Sequence, residues 1–227
     1  SQTWQQSSLH PAQDTYALVD SANRLWWRAE RRRLDAEALR DSMLAVAGEL
    51  DLSLGGECFR PTLAPEALEG LSMKSAAYEA SPIDEQNRRS IYGYLQRSLL
   101  PPLLTAFDLC DATGPTGQRA VTLVPTQSLT LLNNQFVHDR SQKLSETILA
   151  EAIEPVEQVQ RAWLATIRRE PSPSELDASI QHLTVQRAAF TAQADAKQLS
   201  QDLIPEHLAL ASLCHVLLNC NEFIYVD

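Results

Sequence analysis

Apolar residues recur at helical spacing over most of the chain. Leu39, Met43, Val46 and Leu50 form one stripe, with Asp35 at the N-cap position and Gly48 where a left-handed C-cap belongs, so a helix is predicted from Asp35 to Ala47. Pro101-Pro102 predicts a short helix through Phe107, because proline is tolerated in a first turn. Pro125 to Asn133 predicts another, with Leu129 and Leu132 inward. Asn134 is placed to cap a helix from Gln135 to Ala150 that carries Val137, Leu144 and Ile148 on one side. Pro155 opens a further helix with Val156, Val159, Trp163 and Ile167 on its stripe. Ser172-Pro173-Ser174-Glu175 has the order of a capping box before Leu176, Ile180 and Leu183. Thr191 to Gln201 is polar and is expected to fray. Glu206 to Leu218 predicts the last helix, with Ala211, Cys214 and Leu218 aligned. The apolar tail from Asn221 to Val226 is expected to pack back on the body.

The stretch from Arg88 to Phe136 breaks this regularity and holds most of the turn residues. Before it, Asp51 to Asn87 has weak periodicity and reads as an excursion. Arg89 to Arg97 alternates enough to be extended and is expected to pair with part of 52–80 as a small β hairpin. Asp108 to Thr122, with its Gly and Pro punctuation, reads as a loop. The expected fold class is mainly α: an irregular multi-helix domain with a small β hairpin and long ordered loops. Residues 1–227 are expected to form one helical domain, with 1–122 and 123–227 as possible sub-units.

Composition supports helix, with 7 glycines and 6% aromatics in 227 residues. The formal charge of −10 argues against nucleic-acid binding and against docking on anionic lipid. No apolar run approaches the ~20 residues of a membrane span. Cys58, Cys110, Cys214 and Cys220 form no CxxC pair. Cys214-His215 resembles the end of a haem-attachment motif, but Ala211 stands where its first Cys should be, so no covalent haem and no other cofactor is expected. Buried free thiols are the plain expectation, and a Cys58–Cys110 disulfide the sharper one. His207 and His215 sit too far apart along one helix to share a metal. Trp26 and Trp27 are expected in the core, or else on a stacking surface.

The candidate chemistry is a polar cluster of Arg88, Arg89, Asp108, Asp111 and Arg119. One reading is a clasp in which Arg119 ties the 108–122 loop to Asp108 or Asp111. The other is a ligand pocket in which Arg89 or Arg119 holds an anionic group beside Asp108. Glu37 and Asp41, four apart on the Asp35–Ala47 helix, read as a solvated face.

Three blocks carry a resemblance: NRLWWRAERRRLDAEALRDSMLAVAGELD from Asn23, the RRSIY…PPLLTAFD…VPTQSLTLLNNQFV block from Arg88, and LCHVLLNCNEFIYVD at the end. Together they resemble the planctomycete PSD-one domain family, a C-terminal module of unknown function in large proteins. The resemblance implies a fragment of a larger, exported polypeptide, an extracytoplasmic site, and the other domains of that polypeptide as partners. It implies no catalytic residues. The expected function is a non-catalytic interaction or scaffold module, and the alternative is a hydrolase, or part of one, acting on a glycan or other anionic polymer.

Overall fold

The computed structural model describes residues 5–63, 78–97, 99–111, 114–196 and 203–226. Nine helices stand among the described residues: α1 (Gln13–Val19), α2 (Ala36–Val46), α3 (Pro102–Ala106), α4 (Pro125–Asn133), α5 (Gln135–Glu151), α6 (Pro155–Thr166), α7 (Pro173–Asp195), α8 (Pro205–Leu218) and α9 (Asn221–Ile224). Two short strands, β1 (Arg32–Arg33) and β2 (Tyr225–Val226), pair antiparallel with Arg33 opposite Tyr225. The fold is mainly α, as the periodicity predicts.

Helix α8 lies at the centre. Leu210, Leu213, Cys214, Leu217 and Leu218 are all buried on it, and it packs against α5, α6 and α7. A helix apolar on nearly every side has to be surrounded. One core cluster gathers Leu144, Ile148, Val159 and Trp163 around Leu210 and Leu217. A second gathers Leu39 and Met43 of α2, Leu103 and Leu104 of α3, and Leu131, with Leu218, Phe223 and Ile224 from the far end of the chain. The apolar tail therefore does fold back, and β2 completes it against β1.

Local signals are met at several ends. Gly48 takes φ +74° after α2, and Asn134 accepts the Phe136 N–H at 3.0 Å. Ser172 and Glu175 close a reciprocal capping box on α7. Other expectations need correction. The Asp35 carboxylate makes no cap hydrogen bond and instead lies 3.9 Å from Arg119. On α4 the buried positions are Gln127 and Leu131, while Leu129 and Leu132 face out. Gln127 is drawn inward because its amide donates to the Ala106 and Thr122 carbonyls. The stripe of α6 begins at Val159, and Val156 is exposed. Thr191 does not fray: α7 continues to Asp195, and 197–202 lie outside the described residues. All four cysteines are free thiols, so Cys58 and Cys110 are not bridged, and Cys58 is exposed rather than buried. Neither Trp26, which is exposed, nor half-buried Trp27 belongs to a core cluster.

Among the described residues the expected hairpin does not form. Residues 90–92 make a 3-10 turn, and Phe59 meets Gly93 in a single parallel bridge, Phe59 N–H donating to Tyr92 O at 3.0 Å. Residues 64–77, part of the expected partner, lie outside the described residues. A side chain at 93 would sit tightly, 3.1 Å from Ser90 O and 3.3 Å from the Phe59 ring, so these neighbours would have to shift to admit one.

This irregular layer is held by two arginines from the helices. Arg40 of α2, nearly buried, donates to Arg88 O at 3.1 Å, to Ser90 Oγ at 3.2 Å and to Gln86 O. Arg140 of α5 meets Glu49 at 2.6 Å and Asn87 Oδ1 at 3.2 Å. Burial pushes the Arg40 pKa down to about 10, which leaves it charged at neutral pH. Replacing Arg40 with Ala takes the donors from the part-buried Gln86 and Arg88 carbonyls, while the Ser90 hydroxyl keeps only its bond to Asp41. We expect a loss of about 3–5 kcal/mol in urea unfolding, and little rescue by Lys, which lacks the planar fork.

The α6–α7 junction offers a second test. Arg169 grips Glu175 through paired contacts of 2.8 Å and also reaches Glu222. The Arg169 bonds, then those from Ser172, hold the Glu175 carboxyl at about 2, below its ordinary value of 4.5. A depressed carboxyl stabilises fully above its ordinary value and loses that contribution as the pH falls towards 2. The melting temperature of wild type should therefore drop more over that acid window than that of Glu175→Gln. Ser172→Ala should cost about 1 kcal/mol at neutral pH.

Candidate functional site

Helix α2 buries Leu39 and Met43 and turns Glu37, Ala38, Asp41, Ser42 and Ala45 the other way, positions three and four apart on one face. That face lines an open groove of about 710 Å³. Its second wall is the segment from Arg89 to Leu95, and its third is formed by Leu104, Leu109 and Arg119.

Each charged side chain of α2 in the groove holds a wall in place. Asp41 accepts the Ser90 N–H at 2.8 Å and the Ser90 hydroxyl at 2.6 Å, which fixes the 3-10 turn. Glu37 accepts both arms of Arg119, at 2.6 and 2.9 Å. The Arg119 bonds hold the Glu37 carboxyl below its ordinary value, and the same pair raises the arginine. These carboxylates are therefore not the plain solvated face that their spacing implies.

The loop clasp exists, but Arg33 makes it instead of Arg119. Arg33 donates to Asp108 Oδ2 at 2.7 Å and to Thr122 O at 2.6 Å, joining both ends of the 108–122 loop to β1. Asp108 also accepts the Thr122 N–H and hydroxyl, each at 2.8 Å. Burial raises the Asp108 carboxyl, yet the bonds from Thr122 and Arg33 outweigh it and hold the group low. Asp108 itself has φ +60°, a left-handed geometry that Asp tolerates better than most residues.

The remaining candidates separate. Arg88 donates to the Glu57 carbonyl at 2.6 Å and to Gly55 O, and stacks 4.2 Å from the Tyr92 ring centre. It lines a different, more polar depression of about 730 Å³ beside Glu57, Cys58 and Glu85. Asp111 is exposed on the loop. Arg89 is exposed on the groove wall and makes no ion pair among the described residues. Of the five residues singled out, the groove therefore takes Arg89 and Arg119. Glu37, Asp41, Ser90 and Arg33 were not singled out. A carboxylate pair at i, i+4 on α2 was their one available signal.

A family model described as PSD1, a protein of unknown function (DUF1553), matches residues 1–183. The chain belongs to this family. No curated protein and no solved structure matches it. Every residue of the PSD1-family groove falls inside the matched span, whereas α8, which fills the core, lies beyond it.

Two other groups of reactive side chains have structural surroundings. The Cys214 thiol, fully buried on α8, is pushed up to about 12 by burial, so it is protonated and inert at neutral pH. His138 and His215 stack with ring centres 4.2 Å apart, and their Nε2 atoms face the Leu132 and Leu131 carbonyls. Burial lowers the His215 pKa, which keeps that ring neutral beside its neighbour.

The pairings predict unequal costs. Arg33–Asp108 is well covered, with side chains 4% and 15% exposed, and Asp108→Ala should cost about 3–5 kcal/mol. Arg119–Glu37 is about one-third exposed, so a double-mutant cycle of Arg119→Ala and Glu37→Ala should return about 1 kcal/mol. Chemical denaturation of the single and double variants measures both.

Proposed function

We propose that this PSD1-family domain is a non-catalytic docking module that offers the α2 groove to another domain of the polypeptide that carries it, outside the cytoplasm. One observation carries the reading. The charged residues of α2 in the groove are already bonded to the protein's own walls, so they shape the groove and leave the exposed Ala38 and Ala45 and the half-buried Leu109 to meet a partner. Fixed walls reduce the ordering cost of association. Ile91 adds a hydrophobic lip, 74% exposed, and Arg89 an exposed cation beside it. A groove with an apolar floor and a charged rim suits an amphipathic helix or an extended segment.

The test is binding of this domain to the remaining domains of its polypeptide, supplied separately and titrated calorimetrically. Ile91→Asp should weaken binding at least about tenfold, because it puts a charge on the apolar lip. Its melting temperature should stay at the wild-type value, since residue 91 is exposed. Association unchanged by Ile91→Asp, or no association in wild type, overturns the reading.

A further inference from the structure

The turn between α1 and β1 is unlike the rest of the surface. Leu18 is 90% exposed, Val19 82%, Leu25 77% and Trp26 65%. These four side chains flank one tight turn, because the Asp20 carboxylate that follows Val19 accepts the Arg24 N–H at 3.0 Å and the Leu25 N–H at 2.8 Å. The turn is rigid. Asn23 is buried and donates to Arg28 O at 2.8 Å, the Trp27 indole donates to Asp20 O at 2.9 Å, and Ala29 N–H reaches Ser7 O at 3.1 Å. Trp27 also packs beside His10 and Tyr16, with Arg28 over its face.

Trp26 follows with φ +56°, a conformation that is an outlier for a bulky side chain. The polar groups of the turn are thus spent on holding its backbone, while its large apolar groups stand in water in a strained geometry. Side chains this exposed lie on a convex tip, not in a cleft.

The charge here is also reversed. Residues 18–33 hold five arginines against Asp20 and Glu30, a local charge of +3 on a chain of −10. Arg33 is spent on Asp108, while Arg24 and Arg32 are exposed. The whole-chain charge argues against anionic lipid, but a surface responds to charges within about one Debye length, ~8 Å at physiological salt. Within that reach the tip stays basic, because Asp20 in the turn and Glu30 are the acidic residues of 18–33 and they stand against five arginines.

We infer that this turn is a peripheral membrane-docking loop, in which Leu18, Val19, Leu25 and Trp26 enter the headgroup region of an anionic bilayer while Arg24 and Arg32 meet its phosphates. A convex apolar tip needs no matching cavity in a bilayer, whereas a protein partner would have to supply one. Aliphatic groups gain from the acyl boundary, and indole from the interface. No helix among the described residues is long and apolar enough to cross a membrane, so the contact is superficial. The inference goes beyond the groove and does not depend on it.

Co-sedimentation with vesicles tests it. The protein should pellet with phosphatidylcholine vesicles containing roughly a third phosphatidylglycerol, and not with phosphatidylcholine alone. Pelleting should fall away at ~0.5 M salt. Arg24→Gln with Arg32→Gln should reduce partitioning roughly thirtyfold, from the ~1 kcal/mol that each arginine contributes near an anionic surface. Trp26→Ser should abolish pelleting. If it disturbs the turn, Leu18→Ser with Val19→Ser serves instead, at positions whose side chains touch little. Failure of wild type to pellet with anionic vesicles, equal pelleting with neutral ones, or wild-type behaviour of these variants overturns the inference. So does loss of vesicle binding together with loss of interdomain binding in the tip variants, which would assign the tip to a protein partner. The groove reading is judged separately, by Ile91→Asp in the absence of lipid.

Discussion

Two guanidiniums and the ring between them carry the irregular half of this protein. Phe136 of α5 lies between Arg40 and Arg140, 5.3 and 5.2 Å from their guanidinium carbons. Two like charges placed so close repel, and Arg40 feels Arg140 in its lowered pKa. Asp41 and Glu49 supply the opposing charge, and the aromatic face supplies the rest. From this point the arginines reach backbone oxygens and polar side chains between Gln86 and Ser90. The turn so fixed is the wall that Asp41 then grips and the groove needs. Without the pair, the described residues from Glu49 to Arg97 have few buried apolar groups to offset the ~1–2 kcal/mol per residue that ordering costs.

The same device recurs at smaller scale. Arg33 closes the neck of the 108–122 loop, Arg88 gathers residues 55 and 57, and Arg169 joins the capping box of α7 to Glu222 near the tail. In each case a fork of donors meets several acceptors at once, which a lysine on its flexible stem cannot reproduce. Charge is thus used here chiefly to bind loops to helices. The tip around Trp26 is the exception, with Arg24 and Arg32 turned to solvent.

Helices with a full amphipathic period were legible from sequence: α5 and α8 bury the residues that their spacing selects, the α2 stripe buries Leu39 and Met43 but leaves Val46 and Leu50 half-buried, and the capping box of α7 is where its four residues put it. The clasp on the 108–122 loop was legible as a need but not as a pairing. A guanidinium 75 residues away in the chain satisfies Asp108, and nothing local distinguishes Arg33 from its neighbours Arg31 and Arg32. The alternation of Arg89 to Arg97, carried by Ile91, Tyr92, Tyr94 and Leu95, suggested an extended segment. In the fold that stretch answers to Arg40 and Asp41, which bend it into a turn. Gln127 misled for the opposite reason, since a polar side chain took a buried position to satisfy carbonyls that no periodicity reveals.

The pairing of β1 with β2 joins residues 32–33 to residues 225–226. The cluster around Leu39 and Met43 likewise waits for Leu218, Phe223 and Ile224. A ribosome that has made α2 through α7 has therefore made a body whose central helix is missing, with apolar faces still open to solvent. Non-local closure of this kind is slow, and an incomplete chain is exposed to aggregation. The cluster around Leu39 and the β1–β2 pair therefore close only after β2 has emerged.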